Sequence, residues 1–126
     1  FGLPAVFCSP DCVDVFSPKV VQATMGAIFR VTTREITLPE LLAPLSPVPP
    51  VMGAVLGGSD IFKTALPANG LLVIGNEGRG ISPAVEQLLS QRLTIPRHPA
   101  GGAESLNAAV AAGIMAAVLR NPGFTT

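Results

Sequence analysis

The sequence predicts an α/β fold with a parallel sheet, and three observations lead there. Short apolar runs alternate with stretches that carry helix-start signals, the pattern of strands connected by helices. Ser-Pro occurs at 17–18 and again at 82–83, pairing a helix-capping side chain with the residue preferred at the first helical position. Two apolar runs, LLVIG and LTIP, each lead into a glycine-rich loop followed by a helical pattern, as expected where parallel strands end at a ligand site.

Taken in order, PAVFC (4–8) reads as the first strand. SPKVVQATMGAIF follows as a helix with Ser17 as N-cap, placing Val21, Met25 and Ile28 on one face. LPELLAPL reads as a short helix, and PLSPVPP (44–50) as a connection that no regular element crosses. VMGAVL (51–56) is the second strand, and GGSDIF reads as a turn into a short segment. LLVIG is the third strand and NEGRG a loop. SPAVEQLLSQR is then a helix whose buried stripe is Val85, Leu88 and Leu89, and LTIP is the fourth strand. The stretch SLNAAVAAGIMAAVLR reads as a last helix capped by Ser105, apolar nearly all round and therefore buried on most sides or set in an interface.

A chain of 126 residues is long enough for one core and short for two. Its composition is 48% hydrophobic and 13% charged, against about 25% charged in ordinary domains. Such a surface implies that a second copy, or further sequence, covers part of it. Eight basic and eight acidic residues cancel, so the chain lacks the basic excess of a dedicated nucleic-acid binder. Basic side chains do gather as Arg30 with Arg34, and as Arg92, Arg97 and His98; these form either an RNA-facing patch or solvated loop charge. Cys8 and Cys12 are the two cysteines, and with one histidine they fall short of a four-ligand zinc site. They read as free thiols in a reducing compartment rather than a disulfide. No apolar run reaches the roughly 18 residues of a membrane-spanning helix, and no signal-peptide pattern opens the chain; a cytoplasmic location is expected.

The two glycine-rich loops, GNEGRG and RHPAGGAESLN, carry the chemistry. If their strands are neighbours, the loops wall one pocket, with glycines letting backbone groups approach a ligand closely. The spacing G-x-x-G-x-G is neither that of a dinucleotide fold nor a P-loop, and the P-loop lysine is absent. Glu77 argues against a bare phosphate. A carboxylate suits a neutral or cationic ligand, and S-adenosylmethionine with its sulfonium meets that description. Alternatively, Glu77 bonds loop N–H groups and only holds the turn. Asn107, in the opening turn of the last helix, is a residue that bonds locally; Leu106 reads as core.

LLVIGNEGRGIS followed by LTIP…GGAESLNAAVAAGI resembles the second and third motifs of the SpoU/TrmH family of RNA ribose 2′-O-methyltransferases, in the SPOUT superfamily. SPKVVQATMGAIFRV resembles the helix between that family's first two motifs, so the likeness covers nearly the whole chain. It implies a parallel-sheet SPOUT fold whose C-terminal segment forms a deep trefoil knot, S-adenosyl-L-methionine as cofactor, a homodimer, no metal, and rRNA or tRNA as substrate. By the same resemblance, Gly75, Asn76, Gly80, Ile95, Ser105 and Leu106 bind the cofactor. Gly78 and Gly102 permit the backbone path, and Glu77 and Asn107 are the polar catalytic-motif residues.

Three departures qualify the likeness. The family's first motif carries the arginine that helps activate the ribose hydroxyl. Residues 1–126 open on what resembles that motif's tail, so this arginine is expected outside them, and the stretch alone is expected to bind cofactor without turnover. Gln22 stands where the family commonly has arginine, and the loop from Pro96 to Asn107 is about two residues longer than usual. The reaction implied is in-line attack of a 2′-hydroxyl on a sulfonium methyl, where positioning two reactants supplies up to roughly 7–11 kcal/mol and a nearby cation or base activates the oxygen. Two other readings make different expectations. A non-catalytic, dimeric RNA-associated module would keep the fold without the arginine motif; an unrelated α/β nucleotide-binding domain would bind ATP or NAD.

Overall fold

A computed structural model describes residues 1–102 and 105–121. The chain divides into two compact units, one of residues 2–46 and one of residue 1 with residues 47–126.

In the first unit, β1 (Ala5–Cys8) pairs in parallel with β2 (Thr32–Glu35), with Ala5 opposite Thr32 and Cys8 opposite Glu35. The alternation of patterns hid β2, because TTRE lacks an apolar run. Helix α1 covers only Pro18–Ala23, shorter than its apolar spacing predicts. Met25 at φ 50° and Gly26 at φ 83° leave the right-handed helical region, and the chain resumes as a 3-10 turn at Ala27–Phe29. Of the expected buried face, Val21 is 37% and Met25 87% exposed, and only Ile28 is half-buried. Helix α2 (Leu38–Leu42) is held by a capping box in which Thr37 and Glu40 bond reciprocally. Hydrogen bonds from the Thr37 side chain and backbone hold the Glu40 carboxyl below its usual range. That contribution is complete above the unfolded-state pKa and is lost as pH falls through the lower folded one.

Cys8 and Cys12 are free thiols. Burial, then the neighbouring Cys12 and Glu35, push the Cys8 thiol up, which lowers its thiolate fraction, whereas Cys12 is exposed. Iodoacetamide at pH 8 is accordingly expected to alkylate Cys12 several-fold faster than Cys8, as peptide mass spectrometry would show.

The second unit holds a three-stranded parallel sheet in the order β4-β3-β5, with β3 (Val51–Asp60) central. β4 (Leu71–Ile74) and β5 (Gln91–Thr94) flank it. GGSDIF does not end the strand, as its glycines suggest. β3 pairs with β5 through Ala54, shifts register, and resumes at Ser59 opposite Leu93. Gly57 at φ 73° and Gly58, whose added Cβ would lie 2.7 Å from the Arg92 carbonyl oxygen, allow residues 55–58 to bulge from a continuing strand. Ser90 fixes the start of β3: its hydroxyl accepts from Val51 N–H at 2.9 Å and donates to the Val51 carbonyl at 3.1 Å.

Helix α3 is one turn, Pro83–Glu86, with the Ser82 hydroxyl accepting from Val85 N–H. Of its expected stripe, Val85 and Leu89 are half-buried while Leu88 is exposed. Helix α4 (Ala108–Arg120) places Met115 and Val118 against Met52, Ile61 and Leu93, and these five form the core cluster. Its first turn is less covered, with Val110 50% exposed. Among the described residues, no helix is long and apolar enough to cross a membrane.

Candidate cofactor site

The loop after β4 closes on itself. Asn76 and Gly80 exchange backbone hydrogen bonds at 3.0 and 2.8 Å, and the Asn76 carboxamide oxygen accepts from Gly78 N–H at 2.9 Å and Arg79 N–H at 3.2 Å. Gly80 turns the chain at φ 68°. Gly75 lies so close beneath that a Cβ on it would meet the Gly80 carbonyl carbon at 2.4 Å and Ile81 N at 2.6 Å. Asn76, not Glu77, thus holds the turn.

Glu77 bonds across to the second loop. Its Oε1 accepts from the Asn107 side-chain NH₂ at 2.6 Å and from Ala108 N–H at 3.2 Å. Asn107, rather than Ser105, is the N-cap of α4, its Oδ1 accepting from Ala109 N–H at 3.0 Å and Val110 N–H at 3.3 Å. A carboxylate here satisfies an otherwise unpaired helix N–H and sits at the positive end of the helix dipole. The acid in the glycine loop thus finds its partner at a helix terminus 30 residues on in sequence.

β4 and β5 are not neighbours, contrary to the simplest expectation; β3 lies between them. Two inter-strand spacings amount to roughly 10 Å, so the loops meet through the Glu77–Asn107 side-chain bond rather than by adjacent strand ends. Beyond the carboxyl end of β5, Ile95, Pro96, Arg97, His98, Gly101, Ser105 and Leu106 line a cavity of about 290 Å³. Of the sequence-predicted cofactor residues, Ile95, Ser105 and Leu106 are on this wall, while Gly75, Asn76 and Gly80 build the neighbouring turn. Leu106 is 46% exposed, not core. A larger cavity of about 470 Å³ runs along Gly57–Ser59 and Leu89–Leu93. It lies along β5 and the bulged part of β3, whereas the smaller cavity lies past the carboxyl end of β5 where the loop leads to α4, the place where parallel sheets take ligands. Gly102 is exposed, with open space where a Cβ would stand. The basic cluster separates: Arg92 pairs with Glu86 at 3.2 Å, while Arg97 and His98 face the cavity.

Residues 1–117 match the family model described as the SpoU rRNA Methylase family. The chain belongs to the SpoU rRNA methylase family. Among SpoU relatives, it is 31% identical over 121 residues to the 23S rRNA (guanosine(2553)-2′-O)-methyltransferase RlmP of Bacillus subtilis, covering 94% of this chain and 48% of that one. A solved structure of a TrmH-family protein from Porphyromonas gingivalis superposes with a TM-score of 0.85 at 40% identity, over 96% of this chain and 50% of that one. The SpoU methyltransferase AviRb from Streptomyces viridochromogenes, solved with AdoMet, gives a TM-score of 0.83 at 26% identity, over 98% and 49%. The SpoU chain described here thus has the α/β fold with parallel sheets of those structures, and spans about half the length of the relatives it matches.

Proposed function

We propose that this chain forms the cofactor-holding part of an S-adenosyl-L-methionine-dependent RNA ribose 2′-O-methyltransferase acting on rRNA or tRNA. The observation that carries the reading is the Glu77–Asn107 bond at 2.6 Å, which joins the two family loops beside the cavity. The residues fit the cofactor. Ile95 and Leu106 offer apolar walls to an adenine, Gly101 leaves backbone accessible, and the cavity is near the roughly 300 Å³ at which small-molecule sites begin. The Glu77 carboxylate adds negative potential suited to a sulfonium. When bound, the cofactor supplies an electrophilic methyl group. The chain's own contribution is positional: Gly75, Asn76 and Gly80 fix the first loop, and Glu77 and Asn107 hold the start of α4 and with it Leu106 and Ser105. Gly78 is part of the same closed turn.

The family relationship supports a C-terminal trefoil knot, a homodimer and a cytoplasmic location. The dimer is further supported by exposed large apolar side chains of the first unit, where Val13, Phe16, Met25 and Phe29 are 68–87% exposed, side chains of the kind that interfaces cover. Phe29→Glu is expected to weaken self-association about tenfold or more in sedimentation equilibrium. An unchanged dimer constant would place the interface elsewhere.

The activity is tested on the full-length protein with tritiated S-adenosylmethionine and ribosomal or transfer RNA, followed by mapping of alkali-resistant 2′-O-methyl positions. Label in a ribose is the expected outcome; label only in bases, or binding of ATP or NAD in place of S-adenosylmethionine, would overturn the proposal.

A further inference from the structure

The only histidine of the chain stands on the wall of the cofactor cavity, and its ring is already engaged. His98 Nδ1 accepts from the Ala100 backbone N–H at 3.2 Å, and its own carbonyl accepts from Gly101 N–H at 2.8 Å. The second bond closes a β-turn over residues 98–101, and the first is an imidazole version of the side-chain-to-backbone bond by which Asn and Asp fix such turns. Gly101 is adapted to the close approach, since a Cβ there would stand 3.0 Å from the His98 carbonyl oxygen. One side chain therefore shapes the wall between Pro96 and Gly101.

We propose that His98 is a positioning residue for the cofactor, holding the longer third-motif loop in its binding-competent turn through Nδ1 as an acceptor. This rests on the cofactor reading given above. Accepting at Nδ1 requires the neutral ring with its proton on Nε2. Among the described residues, the charged side chain that shares this wall is Arg97.

Three variants separate the acceptor from the ring. His98→Asn keeps an acceptor that reaches the N–H two residues on. His98→Phe keeps a planar ring without an acceptor, and His98→Ala removes both. The measurement is calorimetric titration of the full-length protein with S-adenosylmethionine at pH 8.0. At pH 8.0, H98N is expected within about threefold of the parent, with H98A and H98F each about tenfold weaker.

The inference is overturned if H98F or H98A binds as tightly as the parent, or if H98N binds as weakly as H98A. A folded parent that gives no binding at pH 8.0 instead overturns the cofactor reading itself. Melting curves recorded alongside identify a variant that fails to fold, in which case the comparison of parent, H98N and the other truncated variant decides.

Discussion

Gly75→Ala is expected to abolish measurable S-adenosylmethionine binding and to destabilise the second unit by on the order of 3 kcal/mol, the upper range for forcing a methyl into a packed site. The reason is steric. The new Cβ would lie 2.4 Å from the Gly80 carbonyl carbon, 2.6 Å from Ile81 N and 2.8 Å from the Gly80 oxygen, and all three are backbone atoms that no rotamer change can move. Relief requires opening the Asn76–Gly80 bridge, which in turn releases Glu77 from Asn107. Chemical denaturation and calorimetry check both halves. A G75A protein with parental midpoint and affinity would mean that the closed turn is not what the ligand uses.

Glu77→Ala tests the cross-loop bond. Loss of Oε1 strips the Asn107 NH₂ and Ala108 N–H of their shared acceptor, and Asn107 then caps α4 without an anchor. Because the site is exposed, the stability loss is expected to be only on the order of 1 kcal/mol. The affinity for S-adenosylmethionine is expected to fall about 100-fold, equivalent to roughly 2.7 kcal/mol, because the start of α4 carries Leu106 on the cavity wall. Glu77→Gln separates position from charge. The carboxamide oxygen can still accept, so stability should recover; affinity should recover only in part if the carboxylate also attracts the sulfonium. Equal affinities for parent, Gln and Ala variants would reduce Glu77 to a helix cap.

These two residues also show how much could be read in the sequence. The glycine pattern around Glu77 and the Ser-Leu-Asn before α4 mark both loops, and Ile95, Ser105 and Leu106 indeed line one cavity. What the pattern could not supply is the partnership. A bond between residues 77 and 107 depends on strand order, and the interposed β3 leaves no trace in local periodicity. Asn107 displaced Ser105 as cap because Glu77 makes asparagine doubly useful there, accepting from the helix and donating to the acid.

The elements missed have equally local causes. β2 is polar, so no apolar alternation announces it. α1 stops because Met25 and Gly26 take left-handed backbone angles, which helical spacing does not encode. The Gly57-Gly58 pair makes a bulge within β3 instead of a turn after it, since β5 offers a second set of partners beyond the interruption. His98 was legible only as one of a basic group. Its bond to Ala100 N–H becomes visible when the loop is folded.

The most direct test of the account is to follow backbone amide resonances during titration with S-adenosylmethionine. The account predicts saturable shifts concentrated in Gly75–Ile81 and Ile95–Asn107, the two loops joined by Glu77 and Asn107. Shifts confined to Gly57–Ser59 and Leu89–Leu93, around the larger cavity, or none at all from a folded sample, would contradict it.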